Sequence, residues 1–206
     1  MSVAPTLGVY KLPTIDNEPM RNYEPNSKDR QELQKAVDEL LACNPFEIPV
    51  IIDGQEFRSG KLAKQVNPGD HAQAVCYYHE ADERMVNIAI EGALKAKKQW
   101  MNMPWSERAA ISMKAADLIA HKYRYQLLAA TMVGQGKNVW QAEIDAGAEI
   151  CDFLRFGVKY VDDMYQIQPP RNSPGVWNRT EYRPLEGFVL AISPFNFTAI
   201  AGNLVM

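Results

Sequence analysis

Asn196 is one of the residues in this sequence whose position could support chemistry. It follows the apolar run Phe188–Ile192 after a short turn that contains Ser193 and Pro194. In open α/β sheets, ligands bind beyond the carboxyl ends of the strands, and an asparagine amide placed there can donate a hydrogen bond to an oxyanion. The alternative is a helix N-cap, in which Asn196 accepts N–H groups of the next turn. Spacing alone favours the N-cap.

Glu149 is the second candidate, because it is the one charged residue of an otherwise apolar helical stripe. The other members of that stripe are Ala142, Ala146, Phe153, Phe156 and Tyr160. Two interpretations are open. In the first, the helix is phased slightly differently and Glu149 faces water. In the second, the carboxylate stands at the wall of an aromatic pocket.

The segment Gly134-Gln-Gly-Lys137 has some features of a phosphate-binding loop. That loop needs four residues between its glycines, a Ser or Thr after the lysine and a strand before it. Here one residue separates the glycines, Asn138 follows, and a helix is predicted to precede. A helix C-cap is favoured. The sequence contains no G-x-G-x-x-G motif, which leaves nucleotide binding by another loop open.

The cysteines and histidines do not indicate a metal site. Cys43, Cys76 and Cys151 lie in or beside apolar segments, where a thiol is expected to be buried and unreactive. The histidines share no metal-ligand spacing; they are His71, His79 and His121.

Composition limits the classes of partner. The chain has 206 residues, with 22 Lys and Arg against 25 Asp and Glu, and a net charge of −3. Such a chain has no general attraction to nucleic acid or anionic lipid. It lacks the ~20-residue apolar run of a membrane span and a visible secretory signal. We therefore expect a soluble intracellular protein that binds neither nucleic acid nor membrane.

Periodicity predicts the elements of the N-terminal half. A proline-containing arm precedes a helix over 30–41, and Asp53-Gly54 predicts a type I′ hairpin between strands 48–52 and 55–57. A further strand is predicted over 74–78 after a turn at 67–70. Asp82 is predicted to cap the next helix.

Three more helices and two strands are predicted beyond it. Ser106 is expected to cap a helix that reaches about His121, and the others cover about 125–133 and 138–165. In the last helix, a stripe from Trp140 to Tyr165 is predicted to be buried, and a face beginning at Asp145 to be solvated. Strands are predicted over 176–182 and 188–192, the second being buried only if further strands flank it.

The segment from Gly187 to Ile200 resembles the aldehyde dehydrogenase superfamily, in which a strand leads through a Pro-aromatic-Asn-aromatic turn into a helix. The Ser193-Pro-Phe-Asn-Phe-Thr-Ala-Ile200 version is similar to the branch of the Δ1-pyrroline-5-carboxylate dehydrogenases. Other stretches agree with that branch, and the resemblance covers about residues 30–206. The stretches that agree with that branch are Lys114–Asp117, Thr131–Lys137, Gln141–Ala146 and Asp152–Phe156.

The resemblance implies NAD-dependent oxidation of L-glutamate γ-semialdehyde to L-glutamate by way of a cysteine thiolate. It implies that Asn196 donates to the oxyanion and that Phe197 and Glu149 border the aldehyde pocket. Backbone groups of the turn would border the cofactor. These cofactor-binding residues are Ile192, Ser193, Pro194 and Phe195.

The family's nucleophilic cysteine and general-base glutamate lie after this motif, and the 206 residues do not contain them. We therefore expect a fragment that has no dehydrogenase activity when isolated. The alternative is a non-catalytic chain that binds or regulates a full-length subunit.

The resemblance also predicts an α/β fold, namely the N-terminal portion of the aldehyde dehydrogenase fold, which leads into a Rossmann-like sheet. Its expected parts are an arm over 1–28, a hairpin and helical part over 29–168, a segment of an oligomerisation arm over 169–184, and a first strand–loop–helix over 185–206. A homo-oligomer is implied. Relatives in eukaryotes imply the mitochondrial matrix, but no transit peptide is visible, so a cytoplasmic location is the alternative.

Overall fold

A computed structural model of the chain describes residue 8, residues 11–43 and residues 45–205. Residues 204 and 205 are described by their backbone alone. Those parts of the predicted ranges 1–28 and 185–206 that fall on residues 1–7, 9, 10 and 206 lie outside the described residues. Residues 11–27 form no helix or strand, and α1 (Lys28–Cys43) then begins close to the predicted position.

Two small sheets follow α1. β2 (Val50–Ile52) and β3 (Gln55–Phe57) form the predicted hairpin, with φ angles of 51° at Asp53 and 72° at Gly54, as a type I′ turn requires. The second sheet has three strands, and the last of them in the sequence lies in the centre. β5 (Asp70–His79) pairs antiparallel with β4 (Leu62–Asn67) and parallel with β1 (Phe46–Ile48). The sequence predicted only part of β5 and did not predict β1 or β4.

Three α-helices and a short π segment come next, and the helix ends are largely those predicted. Asp82 caps α2 (Glu83–Trp100) by accepting the Met85 N–H at 2.8 Å. The prediction for Ser106 was wrong, because α3 (Trp105–Asp117) begins directly after Pro104. A first π segment (Leu118–Lys122) follows. α4 (Arg124–Gln135) ends at Gly136 with a φ of 63°, which confirms the predicted C-cap.

The long helix predicted over 138–165 contains a π segment, and this changes which residues it buries. It consists of α5 (Val139–Ala142), a second π segment (Glu143–Glu149) and α6 (Ile150–Tyr165). Downstream, the predicted stripe is buried at Cys151 and Leu154, but upstream Trp140 is 52% exposed. The solvated position predicted for Asp145 was wrong: this carboxylate is fully buried, because the wider turns of a π segment shift the helical phase.

Small side chains bring these helices close together. One apolar cluster joins α3 and the first π segment to α6 through Ala116, Ala120 and Cys151. A second joins α1 to α4 and the long helix through Leu33, Leu128 and Ala142. Ala199 packs against both clusters, so the segment that follows Asn196 rests on the helical core.

The strands predicted over 176–182 and 188–192 were wrong. Residues 166–199 contain no helix or strand, and the chain then enters a short 3₁₀ helix, Ile200–Val205. Val189, Leu190 and Ile192 are 70–79% exposed. A strand forms only when a neighbouring strand satisfies its N–H and C=O groups, and no described strand lies beside this apolar run.

Candidate functional site

Two adjoining cavities lie between α6 and the segment around residue 200. The larger, of about 500 Å³, is lined by Asn17, Glu149, Asp152, Phe153, Phe156, Gly157, Tyr160 and Asn203. The smaller, of about 190 Å³, is lined by Phe153, Pro194, Phe197, Ile200, Ala201 and Asn203. Phe153 and Asn203 border both cavities, so the two cavities are neighbours, and aromatic side chains line each of them.

The cavities bring together some of the residues predicted from the sequence. Glu149 lines the larger cavity, and Pro194 and Phe197 line the smaller one. Asn196, Ile192, Ser193 and Phe195 line neither. They lie on the exposed turn beside the smaller cavity, where the Phe195 side chain is 98% exposed.

Glu149 is half-buried and stands among aromatic side chains. It shares the larger cavity with Phe153, Phe156 and Tyr160. Among the described residues, none forms a hydrogen bond or an ion pair with its carboxylate. The carboxylate is therefore available to a molecule that enters the cavity.

Asp145, and not Asn196, caps the segment that follows the turn. Its carboxylate accepts the N–H groups of Thr198 at 2.9 Å, Ile200 at 3.1 Å and Ala199 at 3.3 Å. In the part of the chain that the structure describes, the Asn196 side chain forms no hydrogen bond. The N-cap interpretation of Asn196 therefore fails, and its amide is available to a ligand.

The N-terminal arm contributes to the wall of the larger cavity. Asn17 lines it and donates to Asp152 at 2.7 Å, and the Glu18 N–H donates to the other Asp152 oxygen at 2.6 Å. The Glu18 carboxylate forms ion pairs of 2.7 Å with both Arg124 and Arg155. These contacts dock the arm on α4 and α6.

A buried ion pair lies directly behind this arm. Arg124 and Glu143 are both fully buried and are joined by two hydrogen bonds. The Glu143 carboxylate also accepts the Tyr23 hydroxyl at 2.6 Å and the Arg21 N–H at 2.7 Å. Gly147 is required here, because a Cβ atom at this position would lie 2.6 Å from the Glu143 carboxylate.

Glu18 should make the docking of the arm depend on pH. Burial alone would raise the pKa of this carboxyl, but the hydrogen bonds from Arg155 and Arg124 outweigh it and hold the pKa below its usual 4.5. Its contribution to stability is therefore present above pH 4.5 and is lost as the pH falls through the lowered pKa.

We expect Glu18→Gln to lower the free energy of unfolding by ~3 kcal/mol at neutral pH and by much less at a pH below the lowered pKa. Chemical denaturation at the two pH values measures this difference. Glu91→Gln, on the exposed face of α2, is the control. An equal effect of Glu18→Gln at both pH values would contradict the prediction.

The described cysteines do not provide a reactive thiol at the cavities. Burial raises the pKa of Cys151 to about 11 and also raises the pKa of Cys76. The expected burial was wrong for Cys43, which is exposed at the end of α1 and lines neither cavity. A nucleophile is therefore not supplied by these thiols.

Sequence reasoning missed several residues of this site. Asn17 and Asn203 carry no local signal, since they reach the cavity only through the fold. Lys137 was treated as part of a turn and Asp145 as part of a solvated face. One available signal was the small-residue run Ala146-Gly-Ala148 after Asp145, which is typical of close packing and not of a solvated face.

Two negative findings apply to the described ranges. Within them, no three His, Cys, Asp or Glu side chains are placed to hold a metal ion. Among those same residues, none of the helices combines the length and apolar character needed to span a bilayer.

Comparison with known proteins identifies this architecture. Residues 55–203 match the sequence model of the aldehyde dehydrogenase family. The chain is 60% identical over 198 residues to Δ1-pyrroline-5-carboxylate dehydrogenase of Agaricus bisporus, an alignment that covers 96% of this chain and 36% of that protein. It is 54% identical over 199 residues to the mitochondrial enzyme of the same name in Emericella nidulans, covering 97% and 35%.

A solved structure shows the same fold. The Δ1-pyrroline-5-carboxylate dehydrogenase of Mycobacterium tuberculosis, crystallised with NAD, matches with a TM-score of 0.92 at 42% identity. The match covers 97% of this chain and 37% of that one. The predicted α/β fold is confirmed, and the chain spans about a third of the length of the proteins that it matches.

Proposed function

The chain belongs to the aldehyde dehydrogenase family, and from this membership we propose that it forms the oxyanion side and the aldehyde-pocket wall of an enzyme that oxidises L-glutamate γ-semialdehyde to L-glutamate with NAD. One observation carries the proposal: the turn that bears Asn196 borders the smaller cavity, which Phe197 lines, and this cavity shares Phe153 and Asn203 with the larger one, which Glu149 lines. The names of the relatives supply the substrate class.

Each proposed role follows from an available group. The Asn196 amide has no partner among the described residues, so its N–H can donate to the oxyanion that develops on the aldehyde carbon. Phe197 and Phe153 enclose the aldehyde chain and exclude water. The Glu149 carboxylate supplies a polar group at the far wall of the site.

The residues proposed to border NAD carry groups that can bind a dinucleotide. The main-chain N–H groups of Ile192 and Ser193 have no hydrogen-bond partner among the described residues, and both residues are exposed. They can therefore donate to hydroxyl or phosphate oxygens of a dinucleotide. Pro194 and Phe195 continue this exposed edge. When bound, NAD supplies the hydride acceptor of the oxidation.

We also propose that the 206 residues alone do not catalyse the reaction. The buried thiols of Cys76 and Cys151 support this, because neither can act as the nucleophile. In the larger enzyme, residues 169–184 would belong to an oligomerisation arm of a homo-oligomer. Residues 185–206, which form no strand here, would become the first strand–loop–helix of the Rossmann-like sheet once neighbouring strands are present. The mitochondrial names of relatives support a location in the matrix.

A second candidate function is that of a non-catalytic chain that pairs with a full-length subunit. The exposed apolar segment that includes Val189, Leu190 and Ile192 favours it, since such a run is suited to burial against another protein. Stable co-purification of the 206-residue chain with a full-length relative would support this function.

A chimera tests the proposed function directly. Residues 11–205 replace the matching segment of the Agaricus bisporus relative, and NADH formation from glutamate semialdehyde is measured. We expect the chimera to turn over at a rate close to that of the parent and the 206-residue chain to form no NADH. A folded chimera without turnover would overturn the proposed function, and NADH formation by the isolated chain would overturn its proposed inactivity.

A further inference from the structure

The turn that carries Asn196 is held by side chains from the Gly134-Gln-Gly-Lys137 motif and the second π segment. Lys137 Nζ donates to the Asn196 carbonyl oxygen at 2.9 Å and lies 3.3 Å from the Asp145 carboxylate. The same ammonium is 4.2 Å from the centre of the Phe197 ring. Gln135 Nε2 donates to the Phe195 carbonyl oxygen at 3.2 Å.

We propose that Lys137 and Asp145 are positioning residues that hold the main chain on both sides of the Asn196 amide and thereby aim it at the oxyanion. The inference rests on the proposed function, because it assigns these residues to the same reaction. It also gives a role to a lysine motif that does not have the spacing of a phosphate-binding loop.

The burial of the pair supports a fixed geometry. The Asp145 side chain is fully buried and the Lys137 side chain is 18% exposed. A carboxylate has about four acceptor positions, and Asp145 uses them for Lys137 and the three N–H groups of residues 198–200. A buried charge that is fully hydrogen-bonded holds its partners in one arrangement.

The location of these contacts explains how they act on Asn196. Lys137 fixes the carbonyl group of Asn196 itself, and Asp145 fixes the peptide groups that begin two residues later. With both sides of Asn196 held, the side chain leaves a defined point of the backbone. Pre-orientation of this kind contributes to catalysis because an error of about 1 Å can cost roughly 10²-fold in rate.

The first test measures the anchor without any activity. In the 206-residue chain, hydrogen exchange at the amides of Thr198, Ala199 and Ile200 is followed by NMR for Lys137→Met and Asp145→Asn. We expect exchange to become roughly 10–100-fold faster, since hydrogen bonds to a charged group are lost or loosened. Lys159→Met is the matched control, because Lys159 pairs with Asp163 on the exposed side of α6. Unchanged exchange in both variants overturns the proposal.

The second test separates positioning from general stability. In the chimera, we expect Lys137→Met to lower kcat by about 10–100-fold with KM for the aldehyde unchanged, and Lys137→Arg to restore most of kcat because it keeps the charge and a donor. Faster amide exchange together with normal kcat overturns the positioning role. If Asn196→Ala itself leaves kcat unchanged, the proposed function fails, while amide exchange still decides whether the anchor exists.

Discussion

Replacement of Asn196 by alanine is expected to lower kcat of the chimera by roughly 10²–10³-fold, which corresponds to ~3–4 kcal/mol of transition-state stabilisation. The amide has no partner among the described residues, so its removal leaves no buried group unsatisfied and the fold is unaffected. Because the donor acts on charge that develops during reaction, KM should change little. Steady-state NADH formation at several aldehyde concentrations measures both constants.

Two further variants make this result specific. Asn196→Asp keeps the side-chain size but replaces the N–H donor by a negative charge near the oxyanion, so we expect a loss at least as large. Asn87→Ala, on the exposed face of α2, is the matched control and should leave kcat unchanged. If Asn196→Ala retains more than about a third of kcat, the asparagine does not serve as an oxyanion donor.

Replacement of Arg124 by methionine is expected to reduce the free energy of unfolding by about 3–5 kcal/mol. The variant leaves the Glu143 carboxylate fully buried without its cation, although Tyr23 and the Arg21 N–H still donate to it. Such a loss is a large fraction of the 5–15 kcal/mol that stabilises a typical domain. Urea denaturation followed by circular dichroism measures it.

A double variant shows whether the uncompensated charge causes the loss. Removal of both charges in Arg124→Met with Glu143→Leu should recover part of the stability, because a buried ion pair can often be replaced by apolar groups at little cost. The control is Lys114→Met, which breaks an exposed pair with Asp117 and should cost 0–1 kcal/mol. A loss below 1 kcal/mol for Arg124→Met would contradict the prediction.

The parts of the fold that could be predicted from the sequence are those fixed by local chemistry. Asp53 and Gly54 predicted their hairpin because a type I′ turn needs a positive φ angle at each of two consecutive residues, and few residue types accept one. Asp82 and Gly136 predicted helix ends for similarly local reasons. The turn around Asn196 was recognised through resemblance; its Pro194 and Phe197 line the smaller cavity, and Glu149 lines the larger one.

The parts that could not be predicted depend on long-range partners. The strand over 188–192 was predicted from its apolar character, but strand structure also needs a hydrogen-bonded neighbour. Asp145 was assigned to the wrong face, because a regular helical period was applied across a π segment. Lys137 contacts the Asn196 carbonyl group only because the chain folds back onto it 59 positions later, and no local pattern encodes that contact.

The second π segment also limits how this stretch of sequence can change in length. The i→i+5 bonds of a π segment hold one more residue per turn than those of an α-helix, so deletion of one residue between Glu143 and Glu149 would favour a regular α-helix and would change which of its side chains face the neighbouring elements. The ion pair of Glu143 and the contacts of Asp145 could not both survive that change. Related sequences should therefore exclude insertions and deletions here, and any alignment gap in this segment should mark a chain whose turn around residue 196 is held in another way.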